Sequence, residues 1–154
     1  MSEIHFPLII AQFLLSGHRK GENYRHWSLV ALESKNIAHI FETTGDSSTF
    51  VYTPRQTDSF SRSADLLGGY CVGHIAHSQL AWLTEKLREI TVVRYDDNWD
   101  CQTWVLEAIM LLKDIGGIIT ENVGPAHIRK ELEIEFERWD SGEDTVEERL
   151  FPEE

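Results

Sequence analysis

In the stretch DNWDCQTWVLEAIMLL, residues 97–112, one cysteine stands between a polar, turn-forming run and a long apolar segment of helical character. A thiol becomes a nucleophile when its thiolate is favoured, and a helix's first turn helps through unpaired backbone amides and the positive dipole end. Cys101 is placed for that role, although most free cysteines are small buried hydrophobes. Far upstream, YRHWSLVALE puts His26 on a predicted strand, one face of which reads Tyr24, His26, Ser28, Val30. A strand imidazole that meets a helix-start thiol can take its proton. The second cysteine, Cys71 in GGYCVGH, has no cap signal and reads as structural.

The elements that must bring these residues together follow from periodicity. FPLIIAQFLL, residues 6–15, is a continuous apolar run, and Pro7 and Ser16-Gly17 favour a buried strand over a helix. GHRKGEN reads as a loop. YRHWSLVALE, SKN and IAHIFETTG read as strand, turn and strand, with TFVYTP a third strand after the turn GDSS. The polar, Ser-rich residues 54–66 read as a mobile surface loop. LGGYCVGHIA reads as a strand whose glycines mark bulges or close backbone approach. SQLAWLTEKLREI spaces Leu80, Leu83 and Leu87 as a helix does, with Ser78 a candidate cap. CQTWVLEAIMLLKDIGG is apolar nearly all round, which predicts a buried helix closed by Gly116-Gly117. GPAHIRKELEIEFERW predicts a last helix, with Pro125 in its first turn.

YRHWSLVALESKNIAHIFETTG followed much later by DCQTWVLEA resembles the permuted papain-like group typified by the lecithin:retinol acyltransferase family and its NlpC-type relatives. Closer still, it is similar to small uncharacterised fungal proteins with HW, a following His or Glu, Gly, and NCQ-x-W. The resemblance spans roughly residues 24–115. It implies Cys101 as nucleophile, His26 as general base, and a polar residue on the next strand that orients the imidazole. The chain departs from the pattern where Asp100 replaces the Asn before the cysteine, and a negative charge beside sulfur opposes thiolate formation. That carboxylate can instead cap the helix.

The orienting residue depends on strand register. A two-residue turn centred on Ser34-Lys35 sets Thr43 opposite His26 and leaves His39 roughly 13 Å along the strand. A slip or bulge of one residue sets Glu42 opposite His26, where a carboxylate completes a Cys-His-acid arrangement. Alignment on Gly45 favours Glu42, and the acyltransferase pattern favours His39. Gln102 reads as a surface side chain or an oxyanion donor beside the Cys101 amide. Trp27 and Trp104 read as core or as walls of a substrate pocket, with Tyr24 on the His26 face. His74 and His77 have weak metal spacing, and the GGYCVG glycines lack the strand-to-helix context of a phosphate loop.

Composition bounds these assignments. At 154 residues the chain is expected to hold a single domain over 1–140, followed by an acidic tail over 141–154. The net charge of −12 argues against nucleic acid as a partner, since phosphate backbones are gripped by clustered Lys and Arg. Two cysteines are too few for a disulfide scaffold, and the N-terminal apolar run is too short to span a bilayer, so a reduced, cytoplasmic protein with no transmembrane segment is expected. The expected fold is α+β, a small antiparallel sheet packed on helices in permuted papain-like style. The expected function is a thiol-dependent hydrolase or acyl transferase, without cofactor or metal, acting on a small-molecule or peptide amide, ester or thioester. The alternatives are a non-catalytic binding module of the same fold and a fungal secondary-metabolism enzyme using His26 and an acid for proton transfer or cyclisation.

Overall fold

A run that is apolar on both parities can lie only at the centre of a sheet covered on both faces, and HFPLIIAQFL is such a run. A computed structural model describes residues 4–14, 25–63, 65–120 and 123–142. In it this run is strand β1 (His5–Leu14), paired antiparallel on one side with β2 (Arg25–Leu32) and on the other with β7 (Leu66–Ala76). Beyond β2 lie β3 (Ala38–Phe41) and β6 (Arg55–Thr57), giving a five-stranded sheet of order β6-β3-β2-β1-β7. Strands β4 (Thr43–Thr44) and β5 (Val51–Tyr52) form a separate two-stranded ribbon.

Helices α1 (Leu80–Lys86), α2 (Cys101–Ile115) and α3 (Pro125–Ser141) complete the α+β architecture. Trp104, Val105 and Ile109 of α2 and Ile128 and Leu132 of α3 share one core with Leu8, Ile10 and Leu29 of the sheet. The opposite sheet face buries Ile9, Val30 and Ile40 against Phe60 and Leu66. No helix among the described residues is long and apolar enough to cross a membrane.

Three expectations need correction. Residues 54–66 are not simply a surface loop: β6 adds an edge strand to β3, and Phe60, only 2% exposed, plugs the second core. Polar side chains hid the strand because an edge strand needs only backbone pairing on one side. Ser78 does not cap α1; it lies in a 3₁₀ turn over residues 77–79, where Gln79 Oε1 accepts from the Ala76 amide. The β2–β3 turn is also wider than two residues. Ile37 O accepts from Glu33 and Ser34 N–H, Ser34 Oγ accepts from Ile37 N–H, and the register becomes Val30↔Ile40 and Ala31↔His39. Continuing that count, Glu42 falls opposite Ser28. The slip is one residue from the simple turn, in the direction opposite to the one that would face Glu42 to His26.

The expected glycine-marked irregularities are present. β7 changes register twice against β1, and Gly73 lies against Ile118, where an added Cβ would stand 2.0 Å from the Ile118 carbonyl oxygen. Bonds from His74 N–H to Ile118 O and from Thr120 N–H to Val72 O close this edge. Helix α3 extends to Ser141 and ends at Gly142, whose φ of 71° is left-handed. The expected acidic tail lies almost wholly over 143–154, outside the described residues. Gly73→Ala should destabilise the protein by about 1–3 kcal/mol through overpacking of backbone against backbone; a urea midpoint unchanged from wild type would disprove the close approach.

Candidate functional site

Strand β3 leaves β2 at the Leu29↔Phe41 pair, so among the described residues the Arg25–Ser28 stretch has no partner strand on that side. Helix α2 begins at this open edge. Its approach is set by three local devices. Trp99, 6% exposed, packs edge-on against Phe50 at 5.6 Å between ring centroids. Asp100 adopts extended backbone as the N-cap, and its Oδ1 accepts from the amides of Gln102 at 2.9 Å and Thr103 at 3.2 Å. Gln102 Nε2 donates to the Arg25 carbonyl at 2.8 Å and ties the helix start to β2.

Cys101 is thus the first residue of α2, 3% exposed, and its thiol lies within hydrogen-bonding reach of the His26 ring. By strand alternation His26 and Ser28 point to the face away from the helices, together with Val30, so ring and thiol meet across the open edge of β2. The His26 ring also lies 6.1 Å from that of Phe13, its cross-strand neighbour.

The second contact of the ring is Glu42. His26 Nε2 donates to Glu42 Oε1 at 2.8 Å, Ser28 Oγ donates to the same oxygen at 2.5 Å, and Arg55 Nε donates to Oε2 at 2.9 Å. With Nε2 committed to the carboxylate, Nδ1 is the nitrogen left to meet sulfur. Glu42 is 3% exposed, and a carboxylate so buried persists as an ion only when donors surround it. Burial alone would raise its pKa, but hydrogen bonds from His26 and Ser28, the charge of His26 and the bond from Arg55 hold it down at about 2. Burial likewise favours neutral His26. Hydrogen bonds to Cys101 and Glu42 and the charges on both outweigh this and raise the ring's pKa to about 9. The result is an imidazolium held between sulfur and carboxylate.

Of the residues singled out from sequence, Cys101, His26 and Glu42 come together. His39 does not: register sets it opposite Ala31, its Nε2 bonds Glu33 Oε1 at 2.8 Å, and its ring stacks with Phe6. Gln102 donates through Nε2 to the Arg25 carbonyl. Asp100 occupies the Gln102 and Thr103 amides, removing two helix-start donors from that role. Trp104 is fully buried and stacks with Tyr52, while Trp27 donates to Gln12 Oε1 at 3.3 Å inside the core. Tyr24 lies outside the described residues.

Two members of the cluster were not recognised from sequence. Ser28 carried a usable signal, since it lies two residues from His26 on one strand face. Arg55 carried none, because its strand is polar and its partner is distant in sequence. Among the described residues no group of three or more His, Cys, Asp or Glu is placed to hold a metal.

Such a cluster defines a protein with a buried Cys-His-Glu relay between the start of a helix and the edge of an antiparallel sheet. Residues 7–132 match the model of a family of unknown function, DUF6914, and the chain belongs to that family. No curated protein and no solved structure shows a significant match.

Two groups of the cluster, His26 and Glu42, couple stability to pH. His26, raised from 6.5 to about 9, contributes fully below pH 6.5 and loses its contribution as pH rises through 9. Glu42, lowered from 4.5 to about 2, contributes above pH 4.5 and loses its contribution as pH falls through 2. Urea unfolding across pH should therefore find these contributions largest between 4.5 and 6.5. His26→Gln should flatten the alkaline descent. A variant whose stability falls in parallel with wild type from pH 6.5 to 9 would contradict the assignment.

Proposed function

We propose that this protein is a thiol-dependent hydrolase or acyl transferase that forms an acyl-enzyme on Cys101, built in permuted papain-like style. The observation that carries the proposal is the relay itself: a helix-start cysteine in reach of a histidine whose far nitrogen is held 2.8 Å from a buried carboxylate. The order of parts along the chain, histidine, then carboxylate, then cysteine, agrees with the permuted arrangement that the HWS and DCQTW motifs resemble.

In the first step the Cys101 proton resides on His26 and the sulfur attacks the carbonyl carbon of an amide, ester or thioester, pushing the carbonyl electrons onto oxygen. As the tetrahedral species collapses, the imidazolium gives its proton to the departing amine, alcohol or thiol, and a thioester remains on Cys101. Water, or an acceptor nucleophile in a transferase, then gives a proton to His26 and attacks the thioester. The electron pair returns to sulfur, and the acid or transferred acyl product leaves. Glu42 keeps the ring oriented and stabilises its charged form throughout. The positive end of α2 supports charge at the sulfur, and the charge of Asp100 is partly met by the two amides it caps.

A second reading, a non-catalytic module of the same fold, is favoured by one observation: Cys101 is 3% exposed, so an acyl donor must displace whatever covers the sulfur. Cys71, exposed on β7, is an internal reference. An activated thioester probe followed by mass spectrometry should acylate Cys101 faster than Cys71. His26→Ala should slow Cys101 acylation by about 10²–10⁴-fold, and Glu42→Gln should slow it less while bringing its alkaline limb down from about pH 9. Equal labelling of the two cysteines would favour the module. Full activity of Cys101→Ala on a substrate with His26→Ala inactive would favour proton transfer without an acyl-enzyme.

A further inference from the structure

A cleft of about 250 Å³ opens beside the relay, on the sheet face that carries Phe60. Phe13, Ile40 and Phe60 give it apolar surface, and among the described residues the charged side chains lining it are Arg55 and Arg62. Asp58 lies between lining residues in sequence yet does not line the cleft. This is an unusual place in a chain with a net charge of −12.

Both arginines have donors to spare. Arg55 bonds Glu42 through Nε alone, and its two terminal nitrogens have no partner among the described residues. The Arg62 backbone N–H donates to the Ser59 carbonyl, and its side chain makes no hydrogen bond or ion pair among the described residues. Glu42 cannot neutralise this charge by itself, since the same carboxylate also faces the His26 ring. A guanidinium fork matches the planar pair of oxygens on a carboxylate or the edge of a phosphate. The cleft adjoins the relay at two points: Arg55 touches the carboxylate that orients His26, and Phe13 lies 6.1 Å from the His26 ring.

We infer that this cleft binds the anionic end of a substrate, a carboxylate or phosphate oxyanion carried on a short apolar body, with Arg55 and Arg62 as its anchors and Phe13, Ile40 and Phe60 as its apolar wall. The inference builds on the acyl-enzyme reading for the position of the reacting carbonyl, which lies past the His26 ring at Cys101. Substrate choice then follows from charge. An anionic substrate gains two arginine contacts beside an apolar wall, whereas its neutral counterpart leaves the guanidinium groups to water.

The test separates binding from chemistry by using Cys101→Ala protein, which cannot be acylated at that position. Titrations of 3-phenylpropionate, phenyl phosphate and the neutral 3-phenylpropionamide are followed by NMR. At least one anion should bind about tenfold more tightly than the amide, the better of the two indicating which oxyanion is preferred, and added salt should weaken it. Arg62→Gln should reduce that affinity about three- to tenfold, whereas Arg88→Gln, which does not line the cleft, should leave it unchanged. Amide binding as tight as that of both anions, or an Arg62→Gln variant that binds like its parent, overturns the proposal. Anion binding sensitive to Arg62 supports the subsite even if wild-type Cys101 never acylates, in which case only the acyl-enzyme reading fails. Acylation of Cys101 without anion preference overturns the subsite alone.

Discussion

A buried carboxylate governs much of this molecule's design. Glu42 lies at 3% exposure between two short strands, and an ion in that position demands donors from whatever surrounds it. It draws them from three places: Ser28 and His26 on β2, and Arg55 on β6. Meeting that demand ties the edge strand to the sheet and holds the imidazole plane. Strand β3 stops short of Glu42 at Phe41, which leaves open the edge where Cys101 arrives.

The helix meets the strand at this gap through bonds that any helix start needs. Asp100 serves as an N-cap, satisfying amides that would otherwise be unpaired, and this accounts for an acidic residue directly before a cysteine. Its charge opposes a thiolate, but it faces two backbone N–H groups, and the ring beside the sulfur is held charged up to about pH 9. Gln102, spent on the Arg25 carbonyl, holds the helix start at the correct strand position.

Legibility followed the strength of local pattern. The runs 6–15 and 101–115 are long and apolar, and both elements lie where periodicity puts them. The glycines of LGGYCVGHIA signalled irregular pairing, and the structure places two register shifts and a tight backbone contact there. The β2–β3 register was misjudged by one residue, because Ser34 Oγ bonds the Ile37 amide and widens the turn. That slip matters to the choice between His39 and Glu42. Glu42 meets His26 by reaching diagonally from a position opposite Ser28, an outcome that counting residues across an ideal hairpin does not produce. The strand β6 and the buried Phe60 were missed because their neighbours are polar and their pairing partner is an edge.

By itself the sequence determined the inventory and the local geometry: a central apolar strand, a capped helix opening with Cys101, a strand bearing His26, and too much negative charge for a nucleic-acid surface. These properties arise from side-chain periodicity, capping chemistry and net charge, all of which act over a few residues or over the chain as a whole. Only the tertiary structure decided that His26 turns to Glu42 and not His39, that Ser28 and Arg55 complete the carboxylate's shell, and that two arginines line a cleft beside it. Those contacts join residues 13 to 75 positions apart, and their geometry depends on register, strand termination and edge pairing. Such features are set by the balance of the whole packed sheet, so no short window of sequence contains them.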